Sequence, residues 1–467
     1  MIDISTPEKE YTYYLSDWIK CRDVRAGQRK IHEKGAVYLP KLGGMELDSD
    51  GEREYQKFKG RTVFYNATAR TISAFKGLLF RKSPLIKKPD SMIDFIDDCS
   101  GDDKSLLQMC RFIADELLTV GRAGILVDYP EQQNTLSSLA EFESQGLIPY
   151  FSFYPTENIL EARKGTINNS SVLTFVKLSE SYTVEKNEFE REEKQQIRIL
   201  DLTADGYRQR IFRKIKKGMA EEWELYSEIY PQIDGKAIDR IPFYIFNSDA
   251  VNDRIQAPPL SDLVDVNLNH YQFMASYAHG VFYTGFPTPY IFGVSSKEIP
   301  QGIGSREIWT STNDSAKAGM IEFTGAGLSF AREYLEDRKN EMAALGAKFL
   351  GSEVKKNETA QKAELDQFAE STSLASIAES ISITMTKALK FAAEWMGVDS
   401  SECFVELNKD YLPENLSPEM IKTLSYELQS GHISYSTFFD NLQRGEIINA
   451  QKSKETELDE ISAEKII

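Results

Sequence analysis

The chain is expected to be an α+β protein whose helices and strands occupy separate stretches. Three observations predict this. Apolar residues recur at steps of three and four over much of residues 8–120, and short apolar runs between turn signals fill 123–246. Helical spacing then returns at 260 and continues, with one β-containing interruption, to 396.

The elements follow in order. Tyr11, Tyr14, Leu15, Trp18 and Ile19 set one helical stripe between Glu8 and about Lys34. Gly43, Gly44 and the run Asp48-Ser49-Asp50-Gly51 read as a loop. Asn66 caps a second helix that turns Ile72, Phe75, Leu78 and Leu79 inward and Arg70 and Lys76 outward, before Pro84 and Pro89 punctuate. Ser105 to Val120 is a third helix, stopped by Gly121. Strands are expected at 123–127, 150–154, 172–184, 196–202, 207–215, 222–230 and 242–246, separated by Asp205-Gly206, Lys217-Gly218 and Asp234-Gly235. The charged run from Asn187 to Gln196 reads as an exposed hairpin tip.

After Pro258-Pro259, Leu260, Leu263, Val264, Leu268, Tyr271, Met274, Tyr277, Ala278 and Val281 form a tyrosine-rich helical stripe. Short strands at 289–294, 306–310 and 319–323 are joined by glycine-rich turns. Helical spacing resumes from Ala331 to Phe349 and is interrupted at Gly351-Ser352. One stripe then runs from about Thr359 to Met396, roughly 55 Å if unbroken. Its serines, from Ser371 to Ser382, suit close packing. Two shorter helices follow, Pro418 to Ser430 and Ser434 to Arg444, and the charged tail from Lys452 is expected to be mobile. Long helices bracketing a small β insert suit a subunit that lines a channel in a ring.

Composition narrows the class. A chain of 467 residues with 41% hydrophobic and 27% charged content has room for several structural units and a sizeable core. No signal peptide or run long enough to cross a bilayer is read, so a soluble protein is expected. Cys21, Cys99, Cys110 and Cys403 form no CxxC pair and are read as reduced thiols of a cytoplasm; the four histidines have no ligand spacing. The net charge is −17, unevenly spread. Residues 57–89 hold nine basic residues, among them Arg61, Arg70, Lys76, Arg81 and Lys82, and no acidic one, whereas 397–467 hold fourteen acids against six bases. The basic island is either a partner or anion contact or a solvated face pairing with neighbouring acids.

Signs of catalysis are missing. There is no GxxxxGK[ST], HExxH or GxSxG, and Gly302-Ile303-Gly304 and Gly325-Ala326-Gly327 read as turns. Asp128 ends an apolar strand without a partner at recognisable spacing and reads as a turn or cap residue. His270 and His279, nine apart, fall on different helix rows. No cofactor or metal is expected.

Several stretches together resemble the portal proteins of tailed bacteriophages. They are Tyr38-Leu39-Pro40-Lys41-Leu42, Phe64 to Thr71 running into Gly77-Leu78-Leu79-Phe80-Arg81-Lys82, and Gly121 to Pro130. Segments 149–158, 335–350 and 358–397 add to the likeness, which covers most of residues 8–400 as an overall texture. The resemblance implies a dodecameric ring at one capsid vertex, through which duplex DNA is packaged and later ejected. It implies a helix-rich wing with a β-rich section (1–259), a first stem helix (260–283), a clip (284–328) and a second stem helix (329–350). A tunnel loop (351–358), a long wing helix (359–397) and a short helical crown (398–467) complete the set. Implied partners are the terminase large subunit, a head–tail adaptor, and the major capsid and scaffolding proteins, with no membrane; the implied location is the virion, after assembly in the host cytoplasm. Lys355, Lys356 and Asn357 would touch DNA backbone from the tunnel loop. Lys297, Arg306 and Lys317 would serve docking at the clip, and the basic island would meet a partner or DNA.

Electrostatics agree with that expectation. Duplex DNA carries one charge per roughly 1.7 Å, so an acidic lumen would slide over it where a basic one would grip. Two rivals remain: another virion ring such as a head–tail adaptor, and a cytoplasmic hydrolase or nuclease with carboxylates assembled from distant segments. On the portal expectation, rings carrying Lys355→Ala and Lys356→Ala should package or retain DNA less well; unchanged packaging and retention would remove the loop from the account.

Overall fold

The computed structural model describes residues 3–46, 48–130, 148–167, 169–217, 220–250, 254–286, 288–296, 298–299, 302, 308–321, 325–347, 360–409, 418–444, 447–448 and 452–464. The chain forms two compact units: residues 1–80 with 84–407, and residues 81–83 with 408–467.

In the large unit the first predicted helix is two, α1 (Lys9–Ala26) and α2 (Gln28–Lys34). Gly27 breaks it at φ +85°, and a Cβ there would stand 2.7 Å from the Asn66 side chain. Continuous apolar spacing hides such a break; only the glycine reports it. The predicted loop at 48–51 instead starts a helix, α3 (Ser49–Arg61), whose cap residue Asp48 accepts from the amides of Asp50 and Gly51 through Oδ1, at 3.0 and 2.8 Å. Only Tyr55 and Phe58 carry its apolar stripe, too little for periodicity to register. Then come α4 (Ala67–Leu79), capped by Asn66, the short β1 (Leu85–Lys87), α5 (Ile93–Asp97) and α6 (Leu106–Val120). Ser105 and Gln108 cap α6 reciprocally, and Gly121 ends it in the left-handed conformation.

Strands follow: β2 (Arg122–Asp128), β3 (Tyr150–Pro155), β4 (Ile159–Ile167), β5 (Ser170–Glu185), β6 (Arg191–Thr203), β7 (Gly206–Lys217) and β8 (Ala220–Ile229). The small β9 (Gln232–Ile233) and β10 (Lys236–Ala237) precede β11 (Phe243–Asn247). β4 was not anticipated. Its half Glu161–Ile167 is largely polar, so no apolar alternation marks it. β11–β2–β3 form one antiparallel sheet with β2 wholly buried at its centre, and β4 to β8 form an antiparallel meander of five strands. Ile197 and Ile199 of the meander pack on Tyr11 and Trp18 of α1. The charged run after Asn187 is only in part a tip: Arg191 to Gln195 already belong to β6, paired with β5. Beyond Glu180 and Gln196, β5 and β6 pair only with each other: β4 pairs β5 up to Leu178, and β7 pairs β6 from Gln196 but continues to Lys217 paired with β8 alone.

The remaining elements are α7 (Ser261–Gly285), the hairpin strands β12 (Thr288–Phe292) and β13 (Lys317–Ile321), α8 (Ala326–Met342), α9 (Ala360–Trp395) and β14 (Phe404–Glu406), which pairs with β1. The 36 residues of α9 reach about 54 Å. Leu374, Ile377, Ile381, Met385 and Phe391 are buried. Ser382 Oγ donates to the Ala378 carbonyl at 2.6 Å and accepts from the Leu407 amide at 2.9 Å, while Thr386 Oγ1 accepts from the Val405 amide at 2.9 Å. Hydroxyls on α9 thus fix the strand that follows it. The second unit holds α10 (Pro418–Gln429), α11 (Tyr435–Arg444) and α12 (Lys454–Glu464), with Phe439 buried. The tail expected to be mobile from Lys452 therefore contains a helix: Ser453 Oγ accepts from the Thr456 amide at 3.1 Å, an N-terminal cap in a charged sequence.

Asp128 has a structural post. Its Oδ2 accepts from Arg198 Nη1 and its Oδ1 from Gln209 Nε2, each at 3.0 Å, and Arg198 Nε donates to Glu180 Oε1 at 2.7 Å. This buried cluster joins the three-stranded sheet to the meander. Arg198→Met leaves the buried Asp128 and half-buried Glu180 carboxylates without their shared cation and should lower unfolding stability by about 3 kcal/mol. An unchanged denaturation midpoint would contradict the assignment.

Candidate functional site

Helix α7, its hairpin and α8 combine a buried root with an exposed end. The first half of α7 is rooted in the large unit, with Leu263, Val264, Leu268, Tyr271 and Ala275 buried. Asn267 completes the root. Its Oδ1 accepts from the Thr68 amide (3.2 Å) and hydroxyl (3.0 Å), and its Nδ2 donates to the Tyr65 carbonyl at 2.7 Å. Gln272 Nε2 donates to the Tyr38 carbonyl at 3.0 Å, and Lys20 pairs with Asp265 at 2.7 Å. Helix α3 braces the middle: the Arg61 guanidinium lies 3.6 Å over the Phe282 ring, Tyr283 Oη donates to Glu54 Oε1 at 3.2 Å, and Phe58 meets His279 edge-on. This brace could not be read from a sequence in which α3 itself left so faint a stripe.

Helix α8 returns antiparallel to α7. Tyr334 Oη donates to Asn269 Oδ1 at 2.8 Å and its ring sits 4.3 Å from Phe273. Farther out Gly280 allows close approach, since a Cβ there would lie 2.8 Å from Leu328. Gly325, left-handed at φ +64°, caps the start of α8, so the fragment Gly325-Ala326-Gly327, read from the sequence as a turn, is instead the N-terminus of a helix. α8 buries only Leu335 and Met342 and ends in a widened turn over Ala343–Ala347. There Gly346 takes φ +119° against Phe75. The break of helical spacing thus begins before the predicted Gly351-Ser352, which lies outside the described residues.

The far end of this hairpin is bare and apolar. Phe286 is 68%, Phe292 66% and Phe330 73% exposed, and Val281, Met320 and Ile321 are exposed as well. Among the described residues none covers these side chains, which marks an interaction surface. Of the expected 306–310 strand, residues 308–310 are irregular, and Ile308 is 85% exposed.

Three of the sequence-derived contact residues, Arg61, Arg70 and Lys76, have different neighbours in the large unit. Arg61 caps Phe282, and Arg70 lies over Tyr65. Lys76 pairs with Asp115 at 2.9 Å, an acid shared with Arg25. Arg81 and Lys82 belong to the smaller unit. Lys317 opens β13 opposite Phe292 and is exposed. Lys297, Arg306, Lys355, Lys356 and Asn357 lie outside the described residues.

No reaction centre is assembled among the described residues. No cluster of three His, Cys, Asp or Glu there could hold a metal. Burial pushes the thiols of Cys21, Cys99 and Cys110 up to about 12, which leaves them inert. Among those residues no helix is long and apolar enough to cross a membrane.

His270 sits fully buried at the root of α7, both ring nitrogens without a hydrogen-bond partner. Burial pulls its pKa down from 6.5 to about 4; the Lys339 charge adds to this and Glu336 opposes it. The unfolded chain therefore takes up the proton first as pH falls. The stability contributed by neutral His270 is complete above pH 6.5 and declines toward pH 4. His270→Phe should flatten that part of the stability–pH curve, and an unaltered slope would contradict the reading.

Residues 259–396 match a family described as "Domain of unknown function (DUF4055)". No curated protein matches the chain. Among solved structures, a chain in the virion of a native gene transfer agent particle aligns over 82% of this chain and 91% of its own, with 9% identity and a TM-score of 0.39. A chain in the neck of the native particle, computed with C12 symmetry, aligns over 80% and 89% at 9% identity and a TM-score of 0.38. One in the neck of the empty particle, computed with C6 symmetry, aligns over 82% and 91% at 10% identity and a TM-score of 0.40.

Proposed function

We propose that the chain is the repeating subunit of a portal ring, the channel for double-stranded DNA at one vertex of a tailed-phage or phage-like capsid. The observation that carries this reading is the α7–β12–β13–α8 hairpin, rooted in the large unit at one end and apolar and uncovered at the other. A helix pair of this kind is incomplete alone, and identical neighbours can cover it if each subunit rotates into the next about a common axis. The extent of the resemblance in sequence, from residue 8 to about 400, supports the same reading.

In this reading α7 and α8 form the stem, the β12–β13 region the clip that docks a motor and a tail or adaptor component, and the 351–358 segment the loop nearest DNA. The net charge of −17 per subunit supplies the repulsion that lets phosphate pass. With no nucleotide-binding motif of its own, the ring leaves ATP hydrolysis to a separate terminase. The clustered engagement of Asp128 by Arg198 and Gln209 weakens the hydrolase alternative, since both its oxygens are occupied.

The purified protein should sediment as a closed ring of about twelve copies. Phe286→Asp combined with Phe330→Asp places charges on the bare end and should shift it to monomers at low micromolar concentration. Its circular dichroism should stay unchanged, because neither side chain packs in the core. A wild-type monomer, or a double variant that still forms rings, would overturn the proposal.

A further inference from the structure

Among the described residues the most exposed large apolar side chain is Phe189, at 89%. It sits at the tip of the two-stranded arm in which β5 and β6 pair only with each other, Ser181–Glu185 against Arg191–Gln195, about 17 Å long. Two strands without a third are marginally stable in water, so an arm of this kind calls for a partner. The tip is nevertheless well defined. Asn187 Oδ1 accepts from the amides of Phe189 and Glu190 at 2.9 and 3.0 Å, and the Lys186 amide donates to the Glu190 carbonyl at 2.9 Å. Phe189 is thus held outward between Glu188 and Glu190, an aromatic anchor flanked by two negative charges.

The same chain carries a complementary hollow. On the outer side of α1, next to the segment that leads into α7, Tyr13, Tyr14 and Ile255 line a depression of about 500 Å³, with Lys9, Arg254 and one acid, Glu10, on its walls. Tyr13 is 74% exposed, and the two tyrosine rings meet edge-on at 4.8 Å. An aromatic floor with two cationic side chains is what a Glu-Phe-Glu tip requires.

We propose that Phe189 of one copy inserts into this hollow on the next copy, with Glu188 and Glu190 facing Lys9 and Arg254. Arm and hollow are different surfaces of one chain, so the contact is head-to-tail and propagates around a ring. Because the arm's own Phe189 stands in solvent, it leaves its own hollow unfilled. The inference rests on the reading that copies of this chain associate, and adds a clasp distinct from the stem.

The test is co-expression of a Phe189→Cys chain with a Tyr13→Cys chain under mild oxidation, followed by peptide mass spectrometry and native mass spectrometry of the full-length protein. The four native thiols are buried and should not compete. A 13–189 disulfide within an assembly is the expected result. Assemblies without that link would overturn the clasp and leave the ring standing; a monomer without the link would overturn both. In addition, Glu188→Lys with Glu190→Lys should weaken self-association about tenfold, and Lys9→Glu with Arg254→Glu on the other chain should restore it. Failure of that restoration would remove the proposed ion pairing.

Discussion

Helix α7 is one continuous rod with two incompatible environments, and the rest of the molecule follows from how they are reconciled. Asn267 spends every polar atom of its amide on Thr68 and Tyr65, and Tyr271 beside it is fully buried. That root fixes the direction of the helix, and α3 stiffens it through Arg61 and Glu54. The outer half cannot then fold back to hide Phe286, nor can α8 hide Phe330. Apolar surface held away from its own core in this way is left for other molecules to cover.

Much of this was legible in the sequence because the governing patterns are local. The span of α9 emerged from one sustained apolar stripe, and Ser105 and Gly121 marked both ends of α6. What stayed hidden depended on context. Gly27 divides α1 from α2 because the Asn66 side chain occupies the space a Cβ would need, and that contact spans 39 positions of sequence. Helix α3 is held by its Asp48 cap and by Tyr55 and Phe58, with charged residues elsewhere, so its periodicity is faint. Strand β4 is half polar because it lies at the edge of the meander.

The candidate site shows the same division. Spacing alone delineated the helix pair and the β insert between them. It could not say which half of α7 would be core, because Leu263 and Val281 look alike in a sequence and differ only in what packs on them. Charge clustering does not name the individual neighbours of the basic residues. The basic residues between 57 and 89 contribute to separate places, Lys76 to Asp115 and Arg61 to an aromatic ring. Asp128 looked isolated along the chain because Arg198 and Gln209 reach it from 70 and 81 residues away.

The most direct measurement of the central claim is a single-particle cryo-EM reconstruction of the purified full-length protein without imposed symmetry. The account predicts a closed, hollow assembly in which α7 and α8 of adjacent copies line a passage wide enough for duplex DNA and cover Phe286, Phe292 and Phe330. Particles of a lone subunit with those three rings still facing solvent would contradict it.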